Sequence, residues 1–408
     1  MTDTLHAQWR NDHLRAAPAA FRAALRVAVE NWAIGSLTFV LPTGQPLRID
    51  GKTPGPDAVI RVHDYRFIRR AFASGDIGFA EGYMAGEWET PDLSAVLTAF
   101  ALNFDKLSAL VRGNPLMRLA NLLFHRTNRN DREGSKRNIH AHYDLGNAFY
   151  SQWLDPTMTY SSALYDRDPN ARLEAAQARK YEALAQSIGL TPDKHVLEIG
   201  CGWGGFVEYA AKKVGARVTA VTISKAQHDF ARRRLFALGL ADKVDIRLMD
   251  YRDVEGRFDG VASIEMFEAV GEEYWPTYFD KVHDLLAPSG RAGLQIITIR
   301  DELFAHYRKQ TDFIQRYVFP GGMLPSETRL KQETDRAGLS WENVRRFGQD
   351  YADTLADWNR RFETAWDDIR PLGFDERFRR LWKFYLAYCE AGFRTERTNV
   401  IQLGLSRN

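Results

Sequence analysis

Two stretches of the chain carry carboxylates where chemistry could use them. In "HVLEIGCGWGGF" (residues 195–206) an apolar run ends at Glu198, and Gly200, Gly202 and Gly204 follow. Glycines at that spacing let the backbone bend sharply and approach a ligand closely. Ligands of open α/β sheets bind beyond the carboxyl ends of the strands, where Glu198 sits. The spacing is not the G-x-G-x-x-G of dinucleotide sites. A carboxylate at that point opposes a pyrophosphate and suits a cationic, amino-bearing ligand. S-adenosylmethionine, a sulfonium amino acid without phosphates, answers that demand; a structural glycine turn is the plain alternative. Downstream, "VTISKAQ" lacks the acid that usually contacts ribose, so Thr222, Ser224 and Gln227 would supply the hydrogen bonds. "MDYRD" offers Asp250 as an acceptor for the adenine amine and Tyr251 as a stacking face.

The second stretch is "IEMFEAVG" (residues 264–271), with Glu268 among apolar neighbours near a strand end. A surface strand end explains most such acids, so the elements that position it matter. From residue 138 onward strands and helices alternate. Segments 195–199, 217–223, 244–249, 260–264 and 292–299 read as strands buried on both faces. Segments 206–214, 225–238 and 274–286 read as helices. That grammar predicts an α/β fold, a doubly wound and mostly parallel Rossmann-like sheet. The last hundred residues read mainly as helices, with a late strand in "VIQLGLSR".

Residues 1–111 read as a small α+β domain. It has a helix over 17–32, strands at 37–41 and 58–62 around a Pro/Gly-rich turn region (43–56), and a helix over 64–73. The segment "GDIGFAEGYMAGEWE" reads as a connection. Residues 112–137 are basic and form the boundary: a solvated linker, or a surface for anionic headgroups beside a lipid site. Bulk charge argues against nucleic acid as a partner, since the net charge of the 408 residues is only +2. The polar amino terminus lacks a signal-peptide core, and no stretch approaches the ~20 apolar residues of a membrane span. Two cysteines, Cys201 and Cys389, fit a reducing cytosol. No metal is called for.

Several motifs then occur in order: "HYDLGNAFYSQWLDPTMTYSSALY" (142–165), "VLEIGCGWGG", "VTIS", "MFEAVG", "FPGGMLPS" (319–326) and "YLAYCEAGFR" (385–394). Together they resemble the cyclopropane-fatty-acyl-phospholipid synthases and the related mycolic acid methyltransferases. "GFAEGYMAGEWE" resembles the amino-terminal lipid-binding domain of the bacterial synthases. The resemblance implies a class I methyltransferase domain over 138–408. It also implies S-adenosylmethionine as donor and a cis-unsaturated acyl chain of a membrane phospholipid as acceptor. Tyr160, Ser161, the 198–206 loop including Cys201, the segment Thr222, Ile223, Ser224 and Gln227, and the Tyr251–Arg252 pair would touch the donor. Glu268 and Tyr351 match active-site positions, and Cys389 matches a cysteine regarded as catalytic. A buried cysteine in an aromatic helix is also commonly packing. His142 is either a base or the residue that holds a cap over the donor.

Methylating an isolated alkene needs near-attack alignment, a dry site and electron-rich faces around the carbocation that forms. A base must then remove a proton; loss from the new methyl group closes a ring. Glu268 would serve directly or through bicarbonate, as the resemblance suggests. Well-known members hold bicarbonate with a cysteine and a histidine, where this chain has Ser162 and Gln295. Neither can become an imidazolium. The expected product is a cyclopropane fatty acid, with a methyl-branched unsaturated chain as the alternative. A soluble natural-product methyltransferase and a non-catalytic lipid-binding protein are more distant readings. The enzyme is expected in the cytoplasm, peripheral to the inner membrane face, and as a homodimer by resemblance.

Overall fold

The protein is described from a computed structural model that covers Leu14 and residues 17–111, 145–168 and 170–407. His142 and the basic segment 112–137 lie outside the described residues. The chain forms two compact units. One comprises the described part of Met1–Phe124 with Gln310–Arg316 and Gly373–Thr395. The other comprises the described part of His125–Lys309 with Tyr317–Leu372 and Glu396–Asn408.

In the first unit, helix α1 (Ala19–Asn31) buries Phe21, Leu25 and Ala28. The i, i+4, i+7 spacing of these residues makes one apolar face. Strands β1 (Ile34–Val40), β2 (Pro46–Asp50), β3 (Thr53–Val62) and β4 (Trp88–Glu89) form a mixed sheet in the order β2-β1-β3-β4. The region read as a Pro/Gly-rich turn is therefore largely strand. Leu47 and Ile49 point inward while Pro46, Arg48 and Asp50 face out, a period-two signal that the prolines and glycines on either side obscure. Helices α2 (Arg66–Ser74) and α3 (Asp76–Met84) follow, then α4 (Leu93–Val111). Helix α3 replaces the expected connection. Its Gly78 is required by close packing, because a Cβ there would come within 1.9 Å of the Arg70 carbonyl oxygen on α2.

The second unit is built on β5 (His195–Ile199), β6 (Arg217–Thr222), β7 (Val244–Leu248), β8 (Phe258–Ile264), β9 (Leu286–Ile299), β10 (Leu339–Arg346) and β11 (Thr398–Arg407). The sheet order is β10-β11-β9-β8-β5-β6-β7. Neighbours from β9 to β7 are parallel, and β11 runs antiparallel to both β9 and β10. This is the expected doubly wound, mostly parallel sheet. Strand β10 lies within a region read mainly as helix; its polar sequence, LSWENVRR, buries only Leu339. Helices α5 (Leu173–Ser187), α6 (Lys225–Ala237), α7 (Trp275–Leu285) and α8 (Gly348–Thr364) belong to this unit.

Alternation along β5 sorts its side chains. Leu197 and Ile199 enter one core with Phe267, Tyr278 and Phe279, while Val196 joins another with Leu184, Ala185 and Ile188. Glu198, by the same period of two, faces the side of α5. Helix α9 (Glu376–Arg394) belongs to the first unit although residues on both sides of it in sequence belong to the second. Among the described residues no helix is long and apolar enough to cross a membrane.

Candidate active site

Glu198 ends β5 with 3% of its surface exposed, and its buried Oε2 has no hydrogen-bond partner. Burial pushes its carboxyl up to about 8, opposed by the charge of Lys180. A buried carboxylate normally finds a donor, so a cationic group is the natural complement to this position. The chain then turns through Gly200, Gly202 and Gly204, all with positive φ. A Cβ on Gly200 would meet Met266 at 2.6 Å. The backbone N–H groups of Gly200 and Cys201 donate to the Val221 carbonyl, tying the loop to the end of β6. Cys201 is buried, and its thiol is held well above the ordinary range by burial and by Glu198.

At the end of β6, Thr222 Oγ1 donates to Gln227 Oε1 at 3.1 Å and accepts from the Ser224 N–H. Ser224 caps α6 by accepting from the Gln227 N–H. Ile223, half-buried, lies between these groups. After β7, Arg252 grips both oxygens of Asp250, at 2.9 and 2.6 Å, so Asp250 anchors Arg252 in the first place. Tyr251 lies edge-on to Tyr278 with the Arg252 guanidinium 5.7 Å from its ring. The unpartnered Glu198 oxygen, the glycine turn and these hydroxyls and amides form a set that fits an amino-acid sulfonium nucleoside.

The second carboxylate centre differs from expectation in one residue. Glu268 Oε1 accepts from the Ile297 N–H at 2.6 Å, and its buried Oε2 has no partner. Burial, then the charge of Glu265, push Glu268 up to about 8. Glu265, three residues earlier, is the group that gathers donors. Its Oε1 accepts from the Ser162 N–H at 2.8 Å and Gln295 Nε2 at 2.7 Å; its Oε2 accepts from the Tyr351 hydroxyl at 2.6 Å. Burial raises its pKa, against Tyr351, Lys180, Gln295 and the Ser162 amide. Both glutamates are half-buried by accessible surface.

Glu265 stands just beyond β8 with φ of 49°. A non-glycine residue there costs on the order of 1–3 kcal/mol, and three hydrogen bonds to the side chain hold it in place. Ser162 contributes its backbone N–H to this centre, while its hydroxyl donates to the Ala163 carbonyl. Tyr351 and Gln295 act on Glu265 as well. Sequence reading singled out Glu268 and passed over Glu265, although both lie in the same eight residues. The signal was there: a second acid at i−3, where the strand turns out of the sheet.

An aromatic wall adjoins this centre. Tyr160 packs on Tyr150, Trp153 and Trp358 at ring distances of 5.3, 5.6 and 5.2 Å, and Trp358 lies 6.2 Å from Tyr351. Ser161 uses its hydroxyl to accept from Lys180 Nζ at 2.6 Å and its carbonyl to accept from Gln177. Cys389 lies on α9 in the first unit, where burial and Asp312 push its thiol up.

Residues 130–403 match the family described as mycolic acid cyclopropane synthetase. The chain is 41% identical over 382 residues to the tuberculostearic acid methyltransferase UfaA1 of Mycobacterium tuberculosis, covering 90% of this chain and 88% of that one. It is 36% identical over 379 residues to the cyclopropane-fatty-acyl-phospholipid synthase of Escherichia coli K12, covering 88% and 90%. Among solved structures it resembles the mycolic acid cyclopropane synthase CmaA1 complexed with SAH and CTAB, at 29% identity and a TM-score of 0.62 over 66% of this chain and 97% of that one. The chain belongs to the mycolic acid cyclopropane synthetase family and is an S-adenosylmethionine-dependent methyltransferase.

Proposed function

We propose that the protein methylates the cis double bond of unsaturated phospholipid acyl chains and delivers a methyl-branched chain, with Glu265 as the resident proton acceptor. The observation that carries this reading is the Glu265 carboxylate held by Ser162, Gln295 and Tyr351. Ser162 and Gln295 stand where the family resemblance assigns an exogenous bicarbonate, and here a side chain of the protein takes those donors itself. The relative named a tuberculostearic acid methyltransferase supports a branched product. The relative named a cyclopropane-fatty-acyl-phospholipid synthase keeps ring closure as the second reading.

Bound S-adenosylmethionine supplies an electrophilic methyl group. Glu198, the 200–204 turn and the Thr222–Ser224–Gln227 group would hold it. The alkene would supply the electron pair for the new carbon–carbon bond as the sulfur–methyl bond breaks and S-adenosylhomocysteine leaves with that bond's electrons, so that a carbocation remains on the acyl chain. Tyr160, Trp358 and Tyr351 offer ring faces to that cation, and their packing keeps out the water that would capture it. Between the two acids, the better-solvated one by hydrogen bonds takes the charge. Glu265 has three donors and Lys180; Glu268 has one donor and the repulsion of Glu265. Environments that split a carboxyl pair assign acid and base, which makes Glu265 the acceptor and Glu268 the protonated partner.

The product is decided by which carbon loses its proton. Loss from the new methyl group onto the first-formed cation closes a ring, and loss from a chain carbon leaves a branched alkene. A hydride shift that moves the cation to the methylated carbon, followed by proton loss from the methyl group, gives a methylene (C=CH2) branch on the open chain instead. Trideuteromethyl donor with phospholipid vesicles tests this by mass spectrometry together with proton NMR. The branched reading expects signals of a methyl-bearing internal alkene or of a C=CH2 branch; ring-methylene signals alone would overturn it. Access to such lipids would come through peripheral association of the basic segment 112–137 with the inner membrane face, each basic residue adding about 1 kcal/mol near an anionic surface. Homodimerisation belongs to the same reading, by resemblance. Salt-sensitive co-sedimentation with anionic vesicles, lost when four of those residues are neutralised, is the expected result for the basic segment.

A further inference from the structure

Lys180 is a fully buried lysine that takes no proton and holds no reactant in the reaction as described. It lies on α5, one turn from Gln177, and the two side chains hold Ser161 together. Lys180 Nζ donates to the hydroxyl at 2.6 Å and Gln177 Nε2 to the carbonyl at 2.9 Å. The Lys180 carbonyl accepts from Gln402 Nε2, which also donates to Gln295 Oε1. Gln295 in turn donates to Glu265. A continuous buried network thus runs from the backbone of α5 to the Glu265 carboxylate.

No carboxylate among the described residues comes within 4.0 Å of the ammonium. Its nearest counter-charges are Glu265, Asp155 and Glu198, which act on it from a distance, and the Tyr181 ring lies 4.5 Å away. A buried ion normally sits against a single partner. This one stands among several, on the side of β5 that Glu198 faces.

We propose that Lys180 is a positioning residue whose ammonium is the shared counter-charge for the site. It keeps Glu265 ionised where the proton is accepted and eases the ionisation of Glu198 that binding of the cationic donor requires. The inference rests on Glu265 being the proton acceptor. The opposing effects agree with it: Lys180 lowers the proton affinity of both glutamates, and they raise that of Lys180, although burial is the larger effect and leaves the ammonium at about 7. Tyr351, Gln295 and the Ser162 amide also face Glu265, and the charge of Glu265 raises the proton affinity of Glu268. Removing the lysine therefore moves Glu265 toward the neutral acid without breaking any of its hydrogen bonds.

The test is the ionisation of Glu265 in the full-length protein. Infrared spectra of protein with carboxyl-labelled glutamate assign its band by difference with Glu265→Gln. Lys180→Met is compared with wild type, and Lys180→Gln, which keeps a donor for Ser161, serves as the second variant. The expected result is conversion of the carboxylate band to a carboxylic acid band at neutral pH. At least a tenfold loss of methylation rate should accompany it, recovered as the pH is raised because the acid limb of the profile moves upward. A purely structural role lowers the rate at every pH and leaves the band in place, and that result would overturn the proposal. Because coupling is reciprocal, Glu265→Gln must also lower the titration midpoint of the buried lysine, read by carbon NMR of labelled lysine. An unmoved midpoint overturns the proposal without any change at Lys180. If Glu265→Gln instead forms product at the wild-type rate, the acceptor assignment fails while the ionisation result stands apart.

Discussion

Glu198 and Glu265 lie at the ends of adjacent parallel strands of one sheet, and the protein treats them in opposite ways. Glu198 keeps a buried oxygen without a partner. Glu265 receives three hydrogen bonds and accepts a strained backbone to do so. A carboxylate with an unmet acceptor is prepared for something that arrives. One whose acceptors are already met is prepared to act. On the proposed reading the difference separates a binding acid from a reacting acid, and Glu268, with one oxygen satisfied and one not, stands between them.

The largest effect that could break this contrast is at Glu265. Glu265→Gln keeps the shape and most of the hydrogen bonding but removes the basic oxygen. General-base catalysis contributes about 10²–10⁴-fold, so single-turnover methylation should slow by that order while calorimetry finds donor affinity nearly unchanged. Equal losses in rate and affinity would mean the two acids are not separate in function.

At Glu198 the pattern should invert. Glu198→Gln removes a charged acceptor, worth roughly 1.5–3 kcal/mol, or about ten- to a hundredfold in donor affinity. Thermal stability should hold or rise, because an uncompensated buried carboxyl is removed. Unchanged affinity by titration calorimetry would take Glu198 out of the donor site.

How much of this was readable beforehand follows the same division. The glycine turn, its strand and the acid before it are contiguous, so local sequence was enough to propose nearly the whole donor side. The proton-accepting centre is assembled from Ser162, Glu265, Gln295 and Tyr351, which come together only when four segments pack. Their types could be seen, but whether Tyr351 and Gln295 would address Glu265 or Glu268 could not. The side chain of Ser162 drew attention when its backbone N–H was the useful group. Strands β2 and β10 were missed for a different reason: half-exposed edge strands carry polar residues and lack the apolar runs of buried ones. The helix α3 was hidden by glycines that exist to let two helices approach.

Titration sharpens the contrast more gently. Glu198 and Glu268 have folded values raised from 4.5 to about 8. Below 4.5 both states of the protein hold these protons, so stability is unaffected. Above it the unfolded chain releases them while the folded one keeps them, so stability falls as the pH rises toward 8. Lys180, lowered from 10.5 to about 7, acts oppositely above 7, which leaves 4.5 to 7 for denaturant titration of the donor-free protein, where Asp312, raised from 3.8 to about 7, adds to the same fall. Donor binding needs Glu198 charged and so releases a proton below about 8. Affinity should rise by up to about tenfold per pH unit there. Calorimetry in buffers of different ionisation enthalpy should detect the proton, and a buffer-independent heat would contradict the assignment.

The smallest expected effect is none at all. If Glu265 is the resident acceptor, stripping bicarbonate from the assay should leave the wild-type rate unchanged. A rate that falls on degassing and returns with added bicarbonate would show that a mobile anion does the work. The complementary variant is Glu265→Gly. At a φ of 49° glycine is the residue best suited to the backbone, so this change removes the carboxylate while relieving strain and leaves the donors of Ser162, Gln295 and Tyr351 in position. Those donors were arranged for an oxyanion, and bicarbonate or formate offers one of similar size. Glu265→Gly should therefore be slow in stripped buffer and recover part of its rate as either anion is added, saturating as a bound species does. Glu265→Gln, whose amide fills the same space, should not recover. Rescue of the glycine variant with no response from the glutamine variant would locate the proton acceptor at that point of the site, and the absence of rescue in both would move it elsewhere.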